Sequence, residues 1–359
     1  RGINEYKAMA PCPFDSIRIN GRDVLIQDIV KTAANPQTEF EASTFSFIRD
    51  WFTGTETFRQ LTSGSTGDPK EITLSRDQMI ASARMTEQAL DLQTGWCALL
   101  CLNPSYIAGK MMLARSFVTG MKVIAVEPSA NPFLQLADHQ TIDFSALVPS
   151  QIHDIVRSEK AGVLNGINTI IIGGAAMDSE TREKLWEFSC RFYATYGMTE
   201  TLSHIALMAL NGRTTSDYFT VLPGVAISQD SRGCLVIQSN HLPEKITTND
   251  LVEIKDATSF RWVGRWDNVI NSGGLKVIPE KLETDIAKIL IGLGINQNFF
   301  VSSLPDQKLG NKIVLVIEHE VGPWLLENIR TMIKGKIRAQ EVPKEVYTAK
   351  RFVYTESGK

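Results

Sequence analysis

The sequence predicts an α/β protein: a large N-terminal domain layered around a mostly parallel sheet, followed by a small α+β domain. Three observations carry that expectation. Short apolar runs alternate with segments of helical period from about Leu90 to Ile172. Beyond Gly212 the pattern changes to short strands and turns. The final stretch, about 90 residues long, holds two helical segments, each opened by a proline.

The run 98–102 is wholly apolar, as a strand covered on both faces is. Residues 109–119 set Met112, Leu113 and Phe117 near helical spacing. Strands follow at 122–126 and 144–148, and Ser150 is expected to cap a helix running to about Ser158. The β-branched run 169–172 ends in Gly173-Gly174, after which Asp178 or Ser179 caps a helix through Phe188. This βαβα order implies a largely parallel sheet covered by helices, with ligands at the carboxyl ends of the strands. Gly173-Gly174 falls at such an end.

Further on, 233–237 reads as a strand, and a polar segment around 264–268 marks a boundary. After it come a helix from Pro279 to about Ile291, strands near 299–302 and 313–318, and a helix from Pro323 to about Ala339. Proline suits the first turn because its missing N–H would be unpaired there anyway. The domains are therefore drawn as 1–264, a connecting segment 265–269, and 270–359.

A composition that is 43% hydrophobic and 21% charged is that of an ordinary globular protein. The net charge of −3 leaves no electrostatic footprint for nucleic acid or an anionic membrane. No apolar run approaches the roughly 20 residues that span a bilayer, and no signal peptide is visible, so a cytoplasmic protein is expected. The five cysteines form no C-x-x-C pair, and neither a disulfide scaffold nor a zinc site is expected. Cys97 and Cys101 are read as small buried hydrophobes.

Four clusters carry chemistry. The first is Leu61-Thr62-Ser63-Gly64-Ser65-Thr66-Gly67-Asp68-Pro69-Lys70, with four hydroxyls, two glycines and a lysine in ten residues. Hydroxyl and backbone donors around a positive charge can cradle a polyphosphate; the same composition also suits a plain solvated turn. It is not a Walker motif, because Pro69 separates the glycine turn from Lys70 and 71–75 alternates like a strand. The context is strand–loop–strand. The second cluster is Tyr196-Gly197-Met198-Thr199-Glu200-Thr201: a ring that can stack on a purine, two hydroxyls, and a carboxylate able to hold Mg²⁺ near phosphates. The third runs from Gly264 to Lys276 and includes the Arg265 fork of donors. The fourth is the terminal Gly358-Lys359.

Taken in order with Gly173-Gly174-Ala175 and Asp250, these clusters resemble the adenylate-forming superfamily of acyl-CoA synthetases, luciferases and peptide-synthetase adenylation domains. The resemblance implies that Thr62, Ser63, Gly64, Ser65, Thr66, Gly67 and Lys70 close over the phosphates of ATP. Gly173, Gly174 and Ala175 would line the adenine pocket, with Tyr196 stacked on the base and Gly197 beside it. Thr199 would contact the α-phosphate and Glu200 would bind Mg²⁺. Asp250 and Arg265 would hold the ribose. Asp267 would be the hinge of a mobile small domain. Lys359 would bridge carboxylate and α-phosphate during adenylation. Gly273, Gly274 and Lys276 would line the tunnel for CoA.

Within the superfamily the chain is most similar to the o-succinylbenzoate–CoA ligases of menaquinone biosynthesis, through 147–151, 172–176, 196–201 and 267–274. An aromatic keto acid with two carboxylates would need apolar walls, for which Tyr106, Ile107, Leu202 and Val221 are candidates. It would also need donors, for which Lys110, Ser203 and His204 are candidates; each could equally be solvated or part of the core edge. The chain departs from the family in three places: only 61 residues precede Thr62, implying a shortened N-terminal domain, Tyr106 stands where many members carry a histidine, and Glu71 replaces the glycine usual after the lysine. Two other readings stay open: another aryl- or acyl-CoA ligase, and a stand-alone adenylation domain that loads a carrier protein. A homo-oligomer is also left open.

Overall fold

A computed structural model describes residues 14–61, 71–295, 298–318 and 323–353. Thr62, Ser63, Gly64, Ser65, Thr66, Gly67, Lys70 and Lys359 lie outside the described residues. The chain divides into two compact units, Arg1–Ala226 with Gln238–Ile246, and Ile227–Ile237 with Thr247–Lys359.

The first unit is built on the expected parallel sheet. Phe144–Leu147 lies between Cys97–Leu100 and Thr169–Ile172, all parallel, with Lys122–Ala125 next to Cys97–Leu100. Every residue of Phe144–Leu147 and Thr169–Ile172 is buried, Ser145 and Thr169 included, which explains why these strands are mostly apolar rather than alternating. Ser16–Ile19 extends the sheet in parallel at one side, with Arg22–Leu25 antiparallel beyond it. On the other side Arg191–Gly197 pairs in parallel with Thr169–Ile172, and His204–Ala209 folds back against it antiparallel. Helices Ile107–Thr119 and Pro149–Val156 connect consecutive strands. Ile152, Ile155, Ile170 and Phe192 share one buried cluster.

The expected cap at Ser150 is corrected. The helix starts at Pro149 with Val148 at the cap position, and the Val148 N–H donates to the Gln151 side-chain Oε1 at 3.0 Å. Proline, with its φ preset for the first helical position, opens the helix, so Ser150 falls inside the first turn. Asp178 does cap the next helix, Ser179–Lys184, accepting from Thr181 N–H at 2.7 Å.

The strand–loop–strand expectation is met at its flanks. Thr57–Leu61 and Glu71–Ser75 form an antiparallel pair that closes with Leu61 opposite Glu71. Ser75 then opens helix Arg76–Leu90 with a capping box, its hydroxyl accepting from Gln78 N–H and its own N–H donating to Gln78.

Strand Ile246–Asp256, which belongs to the second unit from Thr247 on, pairs antiparallel with Ser259–Arg265 of that unit. A separate sheet follows in the order Leu275–Val277, Ile270–Ser272, Gly310–Ile317, Phe299–Asp306, with Glu345–Thr348 parallel to Gly310–Ile317. Helices Pro279–Gly292 and Pro323–Lys336 both begin at the prolines that predicted them. Ile286, Ile289, Leu315 and Ile329 belong to its core. The mixed α/β class with a small α+β portion is thus observed. Among the described residues no helix is long and apolar enough to cross a membrane.

Candidate active site

The first group of candidate residues sits where the parallel strands end. Register places Ile172 beside Ala194, so Gly173 lies against Thr195 and Tyr196 follows on the next strand. A Cβ on Gly173 would strike the Thr195 hydroxyl, which donates to Ile172 O. Ala175 is exposed beyond this edge. The Tyr196 ring is half-buried, 5.8 Å from the Phe219 ring.

The chain then doubles back tightly. A Cβ on Gly197 would lie 2.5 Å from His204 Cα and even closer to the Ser203 carbonyl oxygen, so no larger residue fits. The buried Thr201 hydroxyl ties the turn together, accepting from Met198 N–H at 2.9 Å and donating towards Ser203 O at 2.7 Å. Leu202 adopts φ +69°, a left-handed conformation that costs about 1–2 kcal/mol for a residue with a side chain. This knot presents Thr199 half-buried and Glu200 exposed. The Glu200 carboxylate makes no hydrogen bond or ion pair among the described residues. Among the described residues no three His, Cys, Asp or Glu side chains converge on a metal position. An exposed carboxylate without a partner among the described residues fits Mg²⁺ held mainly by phosphate oxygens and water.

Beneath the knot lies a buried polar cluster that sequence reasoning missed in part. Arg115, on helix Ile107–Thr119, is 2% exposed. It donates through Nη2 to the Ser203 hydroxyl and, at 3.3 Å, to His204 Nδ1; its Nε reaches Thr86 Oγ1 at 3.4 Å. No ion pair to Arg115 and no hydrogen bond from its Nη1 exist among the described residues. Burial without an acid partner pushes its pKa down to about 9. Burial and the Arg115 charge together hold His204 well below the ordinary histidine range. The available signal was the lone charge inside Met111-Met112-Leu113-Ala114-Arg115-Ser116-Phe117, otherwise the buried face of a helix.

The three candidate donors thus occupy different settings. Ser203 and His204 join this cluster. Lys110 instead donates to Arg59 O and Gln60 Oε1, each at 2.8 Å, and burial lowers its pKa. It fastens the hairpin strand Thr57–Leu61 to its own helix. Gln60 adds a bond to Ser105 O at 3.2 Å, and Arg59, Gln60, Leu61, Glu71, Ser105 and Tyr106 line a cleft of about 350 Å³. Of the candidate walls, Tyr106 is exposed, Ile107 and Val221 are half-buried, and Leu202 is buried in the core.

The second unit holds its own group. Asp250 and Arg265 are cross-strand partners, with Arg265 Nη1 3.5 Å from Asp250 Oδ1 and the Trp262 indole donating to the same oxygen at 3.2 Å. Asp250 is buried, whereas Arg265 is half-exposed and also pairs with Asp267 at 2.9 Å. Asn249 donates to both Asp267 carboxylate oxygens. Gly273 and Gly274 form the two-residue turn between Ile270–Ser272 and Leu275–Val277, with φ +58° and +83°. Such a turn needs both residues left-handed, which explains the glycine pair. The Lys276 ammonium lies 4.5 Å from the Trp266 ring centroid.

This arrangement can be compared with known proteins. The family model described as AMP-binding enzyme matches residues 55–230. A solved structure of an acyl-CoA synthetase (AMP-forming)/AMP-acid ligase II-like protein from Dyadobacter fermentans is 40% identical, covering 92% of this chain and 94% of that chain, with a TM-score of 0.64. The chain belongs to the AMP-binding enzyme family.

Two further relatives are more distant. A Mycobacterium tuberculosis protein named probable 2-succinylbenzoate–CoA ligase is 24% identical over 307 residues, 80% of this chain and 77% of the relative. The o-succinylbenzoate coenzyme A synthetase of Bacillus subtilis, solved with ATP and magnesium ion, is 19% identical over 84% of this chain and 68% of its own, with a TM-score of 0.68, and shares the fold. In this AMP-binding enzyme the matched span contains the hairpin, Arg115 and the 196–204 turn, while Asp250 and Arg265 lie beyond it.

Proposed function

We propose that this AMP-binding enzyme condenses a carboxylic acid with ATP to an acyl-adenylate, releasing pyrophosphate, and then transfers the acyl group to CoA, releasing AMP. We further propose that the acid carries a second anionic group, with o-succinylbenzoate the best match. The observation that carries the second anionic group is Arg115: a buried guanidinium joined to the Ser203 hydroxyl, with no acid partner and no hydrogen bond from Nη1 among the described residues. Leaving such a charge unpaired is costly unless a ligand supplies the anion. The 2-succinylbenzoate names of the curated relatives support the same acid.

The roles follow from charge. Carboxylate and α-phosphate repel each other, so positive groups must offset the charge that builds up as they join. Lys359 is assigned that task, with Thr199 on the α-phosphate. Mg²⁺, held by Glu200, would neutralise phosphate charge there. Residues 62–70 would hold the β- and γ-phosphates; Gly173, Gly174, Ala175, Tyr196 and Gly197 the adenine; and Asp250 and Arg265 the ribose. Gly273, Gly274 and Lys276 would face CoA. Domains at 1–264 and 270–359 with a hinge at Asp267 would let Lys359 withdraw before the thiol attacks. Use of ATP and CoA suits a cytoplasmic enzyme.

The test is pyrophosphate release from MgATP over a panel of carboxylic acids without CoA, followed by thioester formation on adding CoA. o-Succinylbenzoate should give the highest kcat/KM. Faster release with amino acids, and transfer to a carrier protein rather than CoA, would overturn the reading.

A further inference from the structure

Four elements meet in the Arg115 cluster. Thr86 comes from helix Arg76–Leu90, Arg115 from helix Ile107–Thr119, Ser203 from the knot, and His204 from the start of strand His204–Ala209. Thr86, Arg115 and His204 are all buried. The proton positions in this cluster follow from donor and acceptor counting. A guanidinium can only donate, so His204 Nδ1, which faces Arg115 Nη2 at 3.3 Å, must offer its lone pair. The ring proton is therefore on Nε2, which lies 3.1 Å from Thr86 Oγ1 and donates to it. The Thr86 hydroxyl passes its own proton to Ser82 O at 3.2 Å. The Ser203 hydroxyl, 3.4 Å from the same Nδ1, can donate to its lone pair as well, and the relay through Thr86 ends on a helix carbonyl.

We propose that His204, as the Nε2–H tautomer backed by Thr86, is a positioning residue for Arg115 that sets the enzyme's preference for acids with a second carboxylate. This rests on the reading of Arg115 as the partner of that carboxylate. Ser203, His204 and Thr86 engage Nη2 and Nε, which fixes the guanidinium plane and leaves Nη1 for the ligand. The chemical identity of the acceptors matters as much as their position. A hydroxyl and a neutral imidazole orient the guanidinium without cancelling its charge. A carboxylate at the same place would satisfy Arg115 from within the protein and compete with the ligand. The site therefore needs an acceptor that is not an anion, and a histidine locked in one tautomer is one.

The experiment uses the full chain with MgATP and measures pyrophosphate release with two acids: o-succinylbenzoate and the same keto acid lacking the ring carboxylate. The quantity read is the ratio of their kcat/KM values. Wild type should favour the dicarboxylate strongly. His204→Leu should lower that ratio by about tenfold, through a higher KM for the dicarboxylate with kcat and the monocarboxylate little changed. His204→Gln, which restores a neutral acceptor, should recover it to within about threefold. His204→Glu should bring the ratio close to one while leaving the melting temperature no lower than in His204→Leu. An equal loss on both acids, or a ratio unchanged in His204→Leu, overturns the proposal. Should His204→Leu fail to fold, His204→Glu decides: a retained dicarboxylate preference overturns it. A wild-type ratio near one overturns the dicarboxylate reading itself and this proposal with it; a wild-type preference that survives the substitutions overturns this proposal alone.

Discussion

Replacing Arg115 with methionine keeps most of the side-chain volume and removes the buried charge, so it should move stability and specificity in opposite directions. Losing one partner of a buried, hydrogen-bonded charge pair with a ligand costs about 2–5 kcal/mol, which corresponds to roughly 30-fold to several-thousand-fold in kcat/KM. That loss should fall on the dicarboxylate alone, because an acid without the second carboxylate makes no such pair. The stability effect has the other sign. Burial lowers the folded-state pKa of Arg115 from its ordinary value to about 9, so the folded protein holds this proton more weakly than the unfolded chain does. The resulting penalty is present in full below pH 9 and fades as pH rises from about 9 towards the unfolded value. In the absence of acid at neutral pH, Arg115→Met should therefore melt no lower than wild type, as apolar replacements of buried charges often do. Pyrophosphate-release kinetics on both acids and thermal unfolding measure the two halves. Equal loss on both acids, or a large drop in melting temperature with no change in selectivity, would show that Arg115 is only a structural residue.

Lys359→Ala should slow adenylate formation by about two to three orders of magnitude, as removal of a preorganised electrostatic contact does, and leave thioester formation from preformed adenylate nearly intact; equal loss in both half reactions would sink the domain-alternation account. Lys110→Met should raise the KM for ATP several-fold and leave the KM for the acid unchanged, since Lys110 is committed to Arg59 and Gln60 on the hairpin; the reverse split would make it an acid ligand after all. Gly197→Ala should abolish activity and lower the melting temperature, because its Cβ would collide with the backbone of 203 and 204; a well-folded active variant would refute the packing of the turn.

Much of the architecture was legible because it rests on short-range patterns. Phe144–Leu147 and Thr169–Ile172 are mostly apolar because both faces are covered, with Ser145 and Thr169 their buried polar members, and the prolines at 279 and 323 mark helix starts that propensity alone would blur. The strand end at Gly173 was legible from the glycine pair that follows a β-branched run, whereas the end at Gly197 shows only in the structure, where a Cβ would collide with the backbone of 203 and 204. Ser150 was misassigned because Pro149, whose fixed φ suits the first helical position, starts the helix before it and leaves Ser150 inside the first turn. The candidate donors were harder. Ser203 and His204 were picked out by their place after the turn, yet their partners Thr86 and Arg115 lie 118 and 88 positions away along the chain, on other helices. No local spacing encodes such a meeting. Lys110 shows the same limit: its fate depends on Gln60, a residue 50 positions earlier.

The account's central claim is acid-dependent cleavage of ATP between the α- and β-phosphates. Its most direct test is the full chain with MgATP and o-succinylbenzoate in the absence of CoA, monitored for pyrophosphate and AMP-linked product together. The account predicts pyrophosphate and an equimolar acyl-adenylate, with free AMP and the thioester appearing only after CoA is added. Release of orthophosphate and ADP instead, or pyrophosphate release that no carboxylic acid stimulates, would contradict it.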